Sequence, residues 1–150
     1  MSVTPRDMEV HVDHELSELL RVGRLIQSDQ YAHTPVDAPL REAFASHFRK
    51  LCEFFGVKRT GEHFRDSKAT DYVPSHPRAR DERLPIRLSN ADKLQAHVSD
   101  RRKELEHLGA EWGESSDTAL LLDEIRRFIV AAGQQGYSFD ATNAELRNWP

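Results

Sequence analysis

Histidines set among apolar residues are the first groups in this chain that could do chemistry. His47 falls within the run Leu40, Ala43, Phe44, His47, Phe48, Leu51, Phe54 and Phe55. At about 100° per residue these positions share one arc of a helix, with His47 near its centre. Farther along, Asn90, Leu94, His97 and Arg101 share one face of a second helical pattern, and His97 and Arg101 are helix-surface neighbours. A guanidinium lowers the proton affinity of an imidazole beside it by like-charge repulsion. A neutral ring next to a fixed cation is a workable general base, and the cation can meet charge building on a phosphoryl group. Metal-independent RNA cleavage needs such parts: a base for the 2′-hydroxyl, an acid for the leaving oxygen and a cation on the phosphate. The plainer expectation for each residue is structural. His47 and His97 would be hydrogen-bonded at the core or its rim, Arg101 would lay its stem along the seam, and Asn90 would start a helix.

The elements that must position these groups read as helices. A first segment at about 9–27 carries Leu16, Leu19, Leu20, Val22 and Ile26 at a rough 3–4 spacing, weakened by Gly23. A second, at about 38–55, has Asp37 as its expected N-cap, Pro39 in the first turn and Gly56 as its stop. A third, at about 90–108, has Ser89 and Asp92 as an imperfect capping box and Leu94, Val98, Leu105 and Leu108 as its seam, with Gly109 as its stop. A fourth, at about 117–132, has Leu121, Leu122, Ile125, Phe128, Ile129 and Ala132 on one side and Gly133 as its stop. The stretch 57–88, punctuated by Gly61, Pro74, Pro77 and Pro85, reads as one long irregular loop. Phe64, Tyr72, Val73 and Ile86 are its anchors to the core, with room for a short helix near Thr70. The tail from Tyr137 to Pro150 either adds a short helix at about Thr142 to Asn148 or trails off. Apolar stripes without alternating strands predict an all-α fold, a four- to five-helix bundle in one domain of 150 residues.

Composition narrows the function classes. The chain is 31% charged and 38% hydrophobic with a net charge of −4, which argues against broad nonspecific nucleic-acid binding. The charge is uneven: eight basic against four acidic residues lie between Arg78 and Lys103, a local excess of +4 that could meet phosphates or be a solvated mixed-charge face. No apolar run reaches the roughly 18 residues of a membrane span, and the polar start Met1 to Asp7 has no signal-peptide pattern. With Cys52 as the single cysteine, and expected to be packed rather than reactive, the cytoplasm is the expected compartment, with no membrane partner.

Other spacings compete with the first. His11 and His14 stand three apart with Asp13 and Glu15 nearby, a spacing that permits shared metal ligation, although a solvated helix face is the simpler expectation. Glu104-x-x-His107 is half of a di-iron bundle signature and lacks its second copy. No phosphate-cradling glycine loop, hydrolase triad signature or zinc-ribbon spacing is present, so neither metal nor cofactor is expected. Trp112 and Trp149 are expected to cover core edges or join an interface.

The run from Leu40 to Phe55 resembles a helix of uncharacterised bacterial HEPN-like proteins, with His47, Arg49, Leu51, Glu53, Phe54 and Phe55 at the matching positions. Asp71-Tyr72-Val73 resembles the patch that follows. Asp92-Lys93-Leu94-Gln95-Ala96-His97, with Arg101 and Arg102 after it, resembles the last helix of the pattern. The likeness covers roughly residues 38–108. It departs in two places: Asp92 stands where asparagine is usual, and the arginine usual four to six residues before the histidine is missing, Arg87 lying ten before His97. The resemblance implies a helical bundle, a homodimer or a protein partner, and RNA as the substrate or ligand in toxin–antitoxin or phage-defence systems. It implies His97, Arg101 and His47 as catalytic candidates and Asn90, Asp92, Lys93, Arg49 and Arg102 as binding ones. The alternative is a noncatalytic protein-interaction module.

Overall fold

The computed structural model describes residues 3–57, 68–96 and 115–149, with the backbone alone at 92–96 and 115–116. Every regular element among the described residues is a helix. They are α1 (Pro5–Gln27), α2 (Asp37–Phe54), α3 (Ala69–Tyr72), α4 (Arg83–Ala96), α5 (Ser115–Gln134) and α6 (Asp140–Asn148). The all-α bundle expected from the apolar stripes is the observed architecture. Helix α1 packs against α2, α5 and α6, and α2 packs in addition against α4.

Helix α1 begins four residues before its expected start at Glu9. Thr4 and Asp7 form a capping box, with the Thr4 N–H donating to Asp7 Oδ2 at 2.8 Å and the Asp7 N–H donating to Thr4 Oγ1 at 3.3 Å. Pro5 occupies the first turn, where its missing N–H costs nothing. Periodicity could not show this start because the first turn carries no buried apolar residue. Helix α2 is entered at Val36, which has no side-chain cap. The expected N-cap, Asp37, is already inside the helix and holds Arg41 at 3.2 Å. At the far end Gly56 takes φ +78, the left-handed conformation expected of a stop. A side chain there would also press on Arg78, whose guanidinium donates to the Gly56 carbonyl.

The expected 57–88 loop is shorter than it reads. The short helix near Thr70 is present as α3, and Tyr72 and Val73 are buried as expected. Helix α4 begins at Arg83, not at Asn90. Asp81 Oδ1 accepts the Arg83 N–H at 3.0 Å, while Pro85 falls within the first turn, where proline is tolerated. Leu84, Leu88 and Ala91 are buried along this helix, whereas Ile86, expected as an anchor, is 65% exposed. Phe64 and Trp112 lie outside the described residues, as do Val98, Leu105, Leu108 and Gly109 of the expected third seam. Helix α5 runs through Gly133 to Gln134, and the turn is made by Gly136 at φ +87.

The core has an aromatic centre. Phe128 of α5 stands edge-on to Phe54 at 5.1 Å, Phe55 at 5.9 Å and Tyr72 at 6.0 Å, and lies tilted against Phe139 at 5.4 Å. Each such pair contributes about 0.5–1.5 kcal/mol beyond the area it buries. Around it, Leu16, Leu19, Leu20, Phe44, Phe48, Leu121 and Ile125 are sealed from solvent. Cys52 is buried among them, packed as expected, and Trp149 lies against the edge of this core.

Two polar devices tie elements together. Asp13 caps α6 from α1: its Oδ1 accepts the Thr142 N–H at 2.8 Å and hydroxyl at 2.6 Å, and its Oδ2 accepts the Ala141 N–H at 3.0 Å. The Ser138 N–H donates to Glu9 at 2.6 Å, one turn earlier on the same face. Between α4 and α5, Arg87 grips Asp117 with two bonds of 2.8 Å, and Asp117 is 5% exposed.

Gly23 reads in sequence as a weak point of α1. In the fold α2 and α5 approach α1 closely there. A Cβ there would lie 2.8 Å from Thr118 Oγ1 of α5 and 3.2 Å from the Phe44 ring of α2. Alanine gains about 1 kcal/mol in an isolated helix. Gly23→Ala is nonetheless expected to lower the stability by about 1–3 kcal/mol, the usual cost of overpacking. Urea denaturation checks this, and a stabilised variant would show that the crossing gives way.

Candidate acid–base site at the α1–α2 seam

The buried set of α2 is Phe44, Ala45, Phe48, Leu51, Cys52 and Phe54. Ala45 and Cys52 turn the buried centre away from the arc expected from the large side chains by roughly 60° at 100° per residue. His47 is therefore not at the centre of the core face. It stands at the rim, with its side chain 15% exposed, and faces α1.

There its Nδ1 lies 2.6 Å from Glu15 Oε2. An ionised carboxylate only accepts, so Nδ1 carries the proton, and in the neutral ring Nε2 holds the free lone pair. Nε2 has no hydrogen-bond partner among the described residues. Lys50, one turn beyond His47, donates to the other Glu15 oxygen at 3.0 Å. His14 completes the group: its ring stands edge-on to that of His47, with centroids 6.5 Å apart. Glu18 is held by Arg21 at 2.7 Å on the same side of α1.

The electrostatics follow from these contacts. The hydrogen bond from His47 pulls Glu15 down to about 2, with Lys50 adding to it against the opposing push of partial burial. Glu18 is also lowered, chiefly by the hydrogen bond from Arg21, with smaller contributions from the fields of His14 and His47. Glu15 thus stays ionised through the whole range in which an imidazole titrates, and keeps the His47 ring in one tautomer and one orientation. Such a carboxylate–imidazole pair is the arrangement that general acid–base catalysis uses.

The other expected site residues divide into three groups. Arg49 is on α2, with its Nε 3.8 Å from Glu53 Oε1. Asn90 is half-buried on α4, not at its start, and Asp92 and Lys93 fall on the α4 backbone. His97, Arg101 and Arg102 lie outside the described residues, as do Glu104 and His107. Arg87, the nearest arginine before His97, is engaged with Asp117 and so supplies no free cation. The His11/His14 spacing does not gather a metal-binding set: Asp13 caps α6, Glu15 binds His47, and no group of three or more ligand side chains forms among the described residues.

A second histidine–carboxylate pair is closed to solvent. His76 is 3% exposed, with Nε2 3.5 Å from Glu124 Oε2, between the rings of Phe55 and Phe128. Neither of those two atoms has a hydrogen-bond partner. The two unpartnered atoms cost stability, while the other Glu124 oxygen accepts from the exposed Arg127 at 2.7 Å. Replacing both by apolar side chains, His76→Phe with Glu124→Leu, is expected to leave the melting temperature unchanged or higher, as for other buried pairs. A drop of several degrees would show that the pair holds the fold together.

Sequence shows Glu15 only as a neighbour of the His11/His14 spacing, because its partner His47 is 32 residues away. Its depressed value makes a signed prediction. The stabilisation is fully present above the ordinary carboxylate value of about 4.5 and is lost as pH falls towards about 2. Glu15→Gln is therefore expected to be less stable than the wild type at pH 6, and the gap should close as both are titrated towards pH 2. A gap that does not change with pH, read by denaturant midpoints, would show that Glu15 does not carry the linkage.

Comparison with protein-family models, with curated proteins and with solved structures finds no match, so the site's own chemistry must carry the functional reading.

Proposed function

We propose that this chain is a HEPN-like helical protein that acts on RNA without a metal, in bacterial stress or phage defence, with His47 as a proton-transferring group. The observation that carries this reading is the Glu15–His47 pair. Its short 2.6 Å bond fixes the ring and leaves Nε2 for a substrate proton. Lys50, 3.0 Å from Glu15, adds a cation beside it that a phosphate can meet. In this reading His97 and Arg101 supply further proton-transfer and charge-stabilising groups, and Asn90, Asp92, Lys93, Arg49 and Arg102 contact the RNA. The resemblance over 38–108 adds the expectation of a homodimer.

A second reading rests on one further fact. Both Glu15 oxygens are engaged within the protein, by His47 and by Lys50, which is also how a purely structural clamp between two helices is built. Under that reading the chain is a noncatalytic protein-interaction module.

The two separate in one experiment. The purified protein is incubated with total RNA in EDTA, beside His47→Ala and His97→Ala. The RNA reading expects cleavage by the wild type and a loss of roughly 10²–10⁴-fold in the His47 variant, the size of a general acid–base contribution. A wild type that neither cleaves nor retains RNA removes that reading and leaves the interaction module.

A further inference from the structure

The α1–α2 seam holds two imidazoles, and the reading above uses only one of them. His14 precedes the residue that fixes His47. Its ring is exposed, it meets the His47 ring edge-on at a centroid distance of 6.5 Å, and no hydrogen bond joins the two rings. The rings pack edge to face with no phosphate-sized gap between them, so a phosphoryl group would lie across the exposed edge of the pair. We propose that His14 is the second proton-transfer group of this site: His47 acts as the base and His14 as the acid, on the phosphodiester of a single-stranded ribonucleotide. The proposal rests on the RNA reading and goes beyond it in naming the acid and the products.

The step balances without a metal or co-reactant. His47 Nε2 takes the proton of the 2′-hydroxyl, and the 2′-oxygen forms a bond to phosphorus. The bond from phosphorus to the 5′-oxygen of the next nucleotide breaks, and that oxygen takes its proton from the His14 imidazolium. The products are a 2′,3′-cyclic phosphate and a free 5′-hydroxyl, and solvent returns the proton from His47 to His14. The charged groups around the two rings suit these roles. Glu15 of α1 faces His47 and holds its Nδ1–H. Glu18 of α1 sits in the field of both rings and is itself held by Arg21. Lys50 of α2 brings a positive charge to the side where the phosphate would lie. One ring must be neutral and the other protonated, so the rate has a bell-shaped pH dependence.

A leaving group that needs no proton tests the acid directly. The wild-type chain, His14→Ala and His47→Ala are assayed in EDTA on two substrates. One is a DNA oligonucleotide with a single internal uridine; the other is uridine 3′-(4-nitrophenyl phosphate). On the oligonucleotide, His14→Ala is expected to lose roughly 10²–10⁴-fold and one limb of the pH profile. On the nitrophenyl ester it should approach the wild-type rate, while His47→Ala stays impaired on both. Mass spectrometry should find the cyclic phosphate end. His14→Ala at full rate on the oligonucleotide, or equally slow on both substrates, overturns the assignment of the acid and leaves the RNA reading standing. A wild type inactive on both substrates overturns this assignment, and the RNA reading falls with it when total RNA is neither cleaved nor retained.

Discussion

The packing of Phe128 is the constraint on which the rest of this bundle depends. One ring from α5 meets the end of α2 through Phe54 and Phe55, the short α3 through Tyr72, and the entry to α6 through Phe139. Four elements drawn from between residues 37 and 148 therefore share one centre. Edge-to-face geometry is directional, so it sets orientation as well as proximity. With Phe54 and Phe55 held there, and Ala45 and Cys52 sealed in the core, α2 has one rotation about its axis. In that rotation His47 stands at the rim facing α1. The polar site is a consequence of an apolar packing choice made two turns away.

Helix α1 divides its surface among three tasks, and the helical period explains how. Leu16, Leu19, Leu20 and Ile26 face the core. Glu9 and Asp13, four apart, face the start of α6 and satisfy backbone N–H groups that no residue of α6 caps itself. Glu15 is two residues beyond Asp13, which places it on another side of the same helix, against His47. Neighbouring carboxylates thus serve unrelated purposes, one as a helix cap and the other as the partner of an imidazole. The metal-site spacing of His11 and His14 dissolves for the same reason. Its acidic neighbours are already committed, on different faces.

Much of the fold was legible in the sequence wherever large apolar residues recur at helical spacing. The stripes of α2 and α5 and the middle of α1 are of this kind, and the short helices near Thr70 and Thr142 were open possibilities that the structure fills. The starts of α1 and α4 were not, because those turns are held by side-chain caps and tolerate proline without adding to an apolar stripe. Pro85 reads as a loop signal but sits within the first turn of α4, a position where its missing N–H costs nothing. Of the site, His47 was legible as a histidine on a largely apolar face. Its setting was not. Small residues carry little weight in a periodicity, yet Ala45 and Cys52 are fully buried and turn the helix.

The same logic bears on which cation could serve chemistry here. In one dimension Arg87 and Lys50 are two basic residues among the 21 of the chain. In three dimensions they differ. Arg87 is spent on Asp117 in a two-bond pair at the α4–α5 junction, with Asp117 almost wholly enclosed, and moving it would leave a buried carboxylate uncompensated. Lys50 makes one bond to a carboxylate that already has His47, and its side chain is 56% exposed. An exposed ammonium is bound weakly and can turn towards an arriving anion at little cost. A phosphate reaching the seam would therefore meet Lys50 and the two imidazoles before any arginine of the α4–α5 junction. The Glu15–His47 pair fixes one ring in advance, and the Lys50 cation beside it is less committed to the fold than Arg87.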